Sequence, residues 1–223
     1  MIVQWIATGQ LERFAAAIVA AADPGRHGSP PDLVVAVDDV ELVNLHQPSR
    51  IAEHVREAIR RRVDVHHPSA ARCDRTREIV RTRCSFHLFC PMVEAYFFGE
   101  VDALRRAGAR HDAQLRDGRD LEDFETVDPA YLSSLPATLD AARHPKRYLA
   151  HLCEPGRYRE TQHGKAALTT LDWPSVTRAP QATRLARWLL ADLYDAVGRG
   201  QVNGELHPAT SRFGHRDNVL RNC

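Results

Sequence analysis

The stretch VVAVDDVELVN, residues 34 to 44, runs apolar for four residues and then places Asp38, Asp39 and Glu41 within four positions. Carboxylates this crowded repel one another unless a positive group neutralises them, which a hard divalent cation with oxygen ligands does. One reading of the spacing is therefore a Mg²⁺ or Mn²⁺ ion held by Asp38, Asp39 and Glu41. The other has Asp38 capping the following turn while Asp39 and Glu41 stand in solvent, a common use of acids after a strand.

The elements that must position these acids read as a βαβ unit. Residues 2 to 7, IVQWIA, form a short apolar run suited to a buried strand. In TGQLERFAAAIVAAAD the apolar positions Leu11, Phe14, Ala15, Ile18, Val19 and Ala22 recur at three and four residues, which is one helical face. Asp23-Pro24-Gly25 ends that helix, and a loop through Ser29-Pro30-Pro31 leads into LVVAVDD. Strand, helix and strand in so short a span imply parallel pairing and a right-handed crossover. Ligands of open α/β sheets sit beyond the carboxyl ends of the strands, where Asp38, Asp39 and Glu41 fall. The turn Thr8-Gly9-Gln10-Leu11-Glu12 lies beside them if the two strands are neighbours.

Further along, a helix opens near Pro48, runs through Ile51, Val55 and Ile59 and ends at Arg60-Arg61-Arg62, whose charge complements the helix dipole. Residues 63 to 82 show no clear period, with a helical turn or two at REIVRTR. CSFHLFC reads as a short buried strand broken by Pro91, with MVEAYFFGEVDALRRAG helical behind it. Phe97, Phe98 and Trp188 are expected in the core. The span 109 to 143, rich in Asp and Arg, reads as an insertion or mobile loop with one short helix. HPKRYLAHL, KAALTTLD and PQATRLARWLLADLYDAVG give a mainly helical second half, with Leu185, Trp188, Leu189 and Leu193 on one face. The expected organisation is an α/β core over residues 1–107, an insertion over 108–143 and a helical part over 144–223 packed on the same core.

Composition sets bounds on function. The 223 residues are 43% hydrophobic and 26% charged, which suits one globular chain with a substantial core and argues against wholesale disorder. Lys stands only at 146 and 165, so all but two of the 30 basic residues are Arg, yet the net charge is only +1. No global field draws the protein to nucleic acid, and any such contact is a local patch. No run approaches the roughly 20 apolar residues of a membrane span, and MIVQWIATGQLERF lacks the basic start of a signal peptide. The expectation is a cytoplasmic protein, with its five Cys reduced.

At TGQLE and VDDVE the chain resembles the TOPRIM fold, the metal-binding α/β module of topoisomerases, primases and overcoming-lysogenization-defect nucleases. That pattern is a strand followed by E-G-x-x-E, then a later strand ending in D-x-D. Gly9 and Glu12 match, Thr8 replaces the first acid, and acid-x-acid occurs only as Asp39-x-Glu41. PMVEAYFFGEVDALR is similar to the E-[IV]-E-A-W-[FL]-L-A-D-P-E-A-L segment of a bacterial family of TOPRIM-like proteins, most closely at Glu94-Ala95-Tyr96. HPKRYLAHLCEPGRYRETQHGKAALTTLD resembles that family's P-K…Y-x-K…G…L region, with Glu160 where the family has Lys. The resemblance touches most of residues 1 to 195. It implies a mostly parallel, Rossmann-like sheet with flanking helices and Mg²⁺- or Mn²⁺-dependent phosphodiester hydrolysis on nucleic acid, with Asp38, Asp39 and Glu41 as ligands joined by Glu12 or Glu94. It also implies phosphate contacts from Arg157, Arg159 and Lys165, and work in phage defence beside an ATPase. The second implied function is a catalytically inactive subunit that binds such a partner, because a Thr8 hydroxyl cannot replace a carboxylate as a base.

Three rival constellations carry less. Cys84-x2-His87-x2-Cys90, with Cys73 or His66-His67 upstream, holds soft ligands for zinc, but on a strand 84 and 90 share a face that 87 does not, so zinc is not expected. No nucleophile signature surrounds any thiol. His144, His151 and His163 near Tyr148 and Tyr158 make either a phosphate- and base-binding surface or a solvated, Arg-rich helix pair.

Overall fold

The structure is a computed structural model describing residues 8–24, 28–66, 69–135, 140–154, 156–177, 183–197 and 219–222. It is mixed α/β, and the described residues contain one small parallel sheet of two strands, β1 (Val34–Asp39) and β2 (Cys84–Phe89). The strand expected at residues 2 to 7 lies outside the described residues.

The chain divides into two compact units, each assembled from separated segments. The first holds residues 1–38, 46–88 and 188–223. Its helix α1 (Thr8–Ala22) buries Leu11, Ala15, Ile18, Val19 and Ala22, the face read from the sequence, and stops before Asp23-Pro24. Helix α2 (Pro48–His66) opens on proline, which suits a first helical turn that lacks amide partners anyway. It buries Ile51, Val55, Ile59 and Val63 and runs past the Arg60-Arg61-Arg62 stop expected of it. Those arginines lie within the helix, where Arg60 and Arg61 both reach Glu57.

Helix α3 (Ala70–Arg83) exceeds the turn or two expected there. Its buried positions are Cys73, Thr76 and Val80, so the inward stripe is short and half polar and leaves little hydrophobic period to read. Ser69 caps it by accepting from Arg72 N, and Thr76 Oγ1 donates to Asp23 Oδ2 at 3.0 Å, tying it to the end of α1. Every residue of β2 is buried. Arg221 N donates to Cys84 O at 2.7 Å, and the Asn222 carboxamide accepts from Phe86 N and donates to Phe86 O, so residues 221–222 satisfy part of the β2 backbone.

The second unit holds residues 39–45 and 89–187. Helices α4 (Glu94–Phe97) and α5 (Val101–Arg106) replace the single helix expected behind Pro91. Between them Gly99 passes Leu121 and Val176 so closely that a Cβ would stand 2.8 Å from Leu121 Cδ1. The 109–143 span carries the expected short helix, α6 (Pro129–Ser133), but is tied down rather than free. Tyr148 donates to Asp128 Oδ2 at 3.0 Å and accepts from Gln114 N, while Phe124 and Tyr131 join Tyr148, Ala95 and Leu152 in a buried cluster. Helix α7 (Pro145–Leu152), a π-helical turn at Glu160–Gly164, α8 (Lys165–Thr169) and α9 (Trp173–Thr177) follow. Helix α10 (Arg184–Ala196) buries Leu185 and Leu189 of the expected face, whereas Leu193 is exposed. Among the described residues no helix is long and apolar enough to cross a membrane.

Candidate functional site

At the end of β1 the chain stays paired beyond the strand: Val40 N donates to Phe89 O and Glu41 N to Pro91 O, each at 2.8 Å. The acids therefore diverge. Asp38 is exposed on β1, while Asp39 Oδ1 accepts from Val93 N at 3.0 Å, the turn that opens α4. Glu41 is exposed with φ 63° and ψ 152°, a backbone region that is essentially glycine's alone. Glu12 is exposed on α1. Among the described residues no three His, Cys, Asp or Glu side chains stand together as a metal ion requires. The described residues thus do not bring Asp38, Asp39 and Glu41 into one cluster, and Asp39 is engaged by the Val93 amide.

Glu94 has a different environment. It is 1% exposed at the start of α4, and Tyr158 donates its hydroxyl to Oε1 at 3.0 Å. Burial raises the Glu94 pKa, against the opposing pull of that hydrogen bond and of Lys146. Lys146 is ion-paired with Glu160, which holds its pKa up, and the charges of Glu94 and Glu41 add to that. Gly164 closes the π-helical turn, and a Cβ there would lie 2.8 Å from the Tyr158 hydroxyl, so the glycine makes room for the Tyr158–Glu94 contact.

Beside this cluster a cleft of about 270 Å³ is lined by Glu41, Leu42, Val43, Asp140, Ala141, His144 and Arg147. Asp140 also has a left-handed backbone, at φ 57°. His144 caps α7 by accepting from Arg147 N on Nδ1, and partial burial with the neighbouring Arg147 and Lys146 lowers its pKa. A neutral ring accepting on Nδ1 carries its proton on Nε2.

The residues expected to hold phosphate lie at the surface around the π-helical turn. Arg157 pairs with Glu154 at 2.6 Å, and Arg159 and Lys165 are exposed on either side of the π-helical turn. Tyr148 cannot stack a nucleobase: it is fully buried and stacked on Phe98 with centroids 5.7 Å apart. His163 Nδ1 accepts from Arg159 N. Cys84, His87 and Cys90 do not converge on a common centre. His87 Nε2 lies 2.8 Å from Asp192 Oδ2, both groups buried, and the Cys90 thiol donates to Glu122 O. Burial pushes the Cys84 and Cys90 thiols up to about 12, so neither supplies a thiolate near neutrality.

A half-buried carboxylate that the sequence does not single out is Glu122. Glu122 Oε1 accepts from Tyr96 Oη at 3.0 Å, Leu185 N at 2.7 Å and Ala186 N at 3.1 Å, clasping the first turn of α10, while Asp120 accepts from Thr183 N. Burial raises the Glu122 pKa to about 7. No local pattern marks Glu122, whose partners lie 26 and more positions away. Lys146 did carry a signal, being one of only two lysines in an Arg-rich chain. Compared with protein-family models, curated proteins and solved structures, the chain matches none.

Proposed function

We propose that this chain is a binding subunit with a TOPRIM-like core that hydrolyses nothing itself, and that its binding site is the cleft at Glu41. A partner protein, an ATPase being the kind the sequence resemblance suggests, would carry the chemistry. One observation supports this above all: Glu41 holds its carboxylate at the cleft on a backbone that glycine would adopt without strain. Strain at a residue that could be relieved so simply is the mark of a side chain kept for contact. Beside it, Asp39 accepts from the Val93 amide and Glu94 is buried against Tyr158, uses that build the fold.

The test is Mn²⁺ titration calorimetry and cleavage of plasmid, single-stranded DNA and RNA, on the wild type and on the Asp39→Asn/Glu41→Gln double variant. The binding reading expects the same weak metal heats from both proteins and intact nucleic acid throughout. Mn²⁺-dependent cleavage that disappears in the double variant would overturn it in favour of a phosphodiester hydrolase.

A further inference from the structure

The cleft's lining narrows what it can bind. Of its four ionisable residues Glu41 and Asp140 are acids, Arg147 is a cation and His144 is a neutral donor, and no salt bridge among the described residues joins any two of them. Lys146, the cation whose charge Glu41 feels, is already paired with Glu160. The cleft is therefore lined by both acidic and basic side chains, with Leu42 and Val43 beside them.

The donors can be read atom by atom. The His144 Nδ1 lone pair is occupied by Arg147 N, so the ring offers an Nε2–H donor, and the Arg147 guanidinium adds a planar fork of donors. Together they suit a carboxylate, which accepts two parallel hydrogen bonds. Glu41 and Asp140 offer only acceptors, and suit an ammonium group. A phosphate dianion would meet two carboxylates in the same small space, and a simple cation would meet a guanidinium, so neither single charge matches the whole lining.

Size points the same way. At about 270 Å³ the cleft lies just under the roughly 300–1,000 Å³ of sites that enclose drug-sized ligands. The two acids also rest on unusual backbone: Glu41 and Asp140 both have positive φ, so two non-glycine residues in the left-handed half of the map line one cleft. Resting on the binding reading above, we propose that this cleft binds a small zwitterion of the amino acid or dipeptide class, its carboxylate on Arg147 and His144 and its ammonium on Glu41 and Asp140.

The test uses the full chain and glycylglycine, titrated by calorimetry at neutral pH, with acetate, methylammonium and inorganic phosphate as single-charge comparators. Glycylglycine is expected to bind at millimolar concentration or below, more tightly than any comparator, and Arg147→Ala and Glu41→Gln each weaken it by about tenfold or more, the loss of one charge-assisted contact. Both substitutions fall on exposed side chains, and unchanged melting curves would show that the fold persists. Phosphate binding tighter than glycylglycine, no glycylglycine binding at all, or equal affinity in Glu41→Gln would each overturn the proposal. Mn²⁺-dependent cleavage, by contrast, would remove the binding reading whatever the dipeptide does, so the two failures are distinguishable.

Discussion

Tyr158 and Glu94, 64 positions apart in the chain, meet through a hydroxyl-to-carboxylate hydrogen bond of 3.0 Å, with Glu94 only 1% exposed. Removing that hydroxyl leaves a buried carboxyl without its donor. Tyr158→Phe should therefore lower stability by about 1–3 kcal/mol in urea unfolding. Gly164→Ala should also destabilise, because its methyl would stand 2.8 Å from the same hydroxyl. The two changes act on one contact, so the double variant should lose clearly less than the sum of the singles; strict additivity would show that Gly164 makes room for something else.

The same pair carries a pH dependence. Burial raises the folded-state pKa of Glu94 above its unfolded value, so the folded state binds the proton more tightly and this contribution to stability fades as pH rises. The Tyr158 hydrogen bond opposes that shift, and Tyr158→Phe should steepen the decline on the alkaline side of the carboxylate range. Unfolding curves of both proteins across that range check it; parallel profiles would disprove the link.

Glu122 should behave more strongly. Its pKa rises from an ordinary 4.5 to about 7, so the stabilisation is complete below the lower value and is lost as pH climbs through the upper one. Glutamine keeps an oxygen for Tyr96, Leu185 and Ala186 but has no charge to bury. Glu122→Gln should match the wild type in acid and exceed it in mild alkali by up to about 3 kcal/mol. A variant no more stable than wild type in alkali would mean that the three donors already compensate the charge.

Glu41→Gly tests whether a strained backbone is being retained. Relief of about 1–3 kcal/mol of strain is partly offset by about 1 kcal/mol of extra freedom for glycine in the unfolded chain. The expected net gain is up to about 2 kcal/mol, read as a higher melting temperature. A loss of stability would place the value of Glu41 in the fold instead of in the cleft.

Arg56, on α2, is 3% exposed, and among the described residues its Nε and Nη1 have no hydrogen-bond partner. An uncompensated buried cation is costly, and an apolar side chain of similar reach often replaces such a group with a gain of about 1–4 kcal/mol. Arg56→Met should raise the urea midpoint without changing the slope of the transition. A lowered midpoint would show that the guanidinium contributes more than its charge costs.

The parts of this protein legible in its sequence are those governed by local periodicity. In α1 and β1 a repeating apolar pattern faces a core, and the pattern is itself the cause of the structure. Helix α3 escaped because Thr76 and Cys73 do the work of apolar residues on its inner face. The run of acids after β1 was equally plain, but its use was not, since whether carboxylates converge depends on the backbone angles of a single residue, Glu41, and on an amide as distant in sequence as Val93.

By itself, then, the sequence determined the helix and strand that bracket residues 8–39, the buried character of β2 and the concentration of charge at a strand end. Only the tertiary structure decided that Asp39 accepts from the Val93 amide, that Glu94 is buried against Tyr158, that Lys146 pairs with Glu160 and that Glu41 shares a cleft with Arg147 and His144. The reason is physical: periodicity acts between neighbours a few residues apart, whereas charge, burial and hydrogen bonding act between groups that only the folded chain brings within a few ångströms.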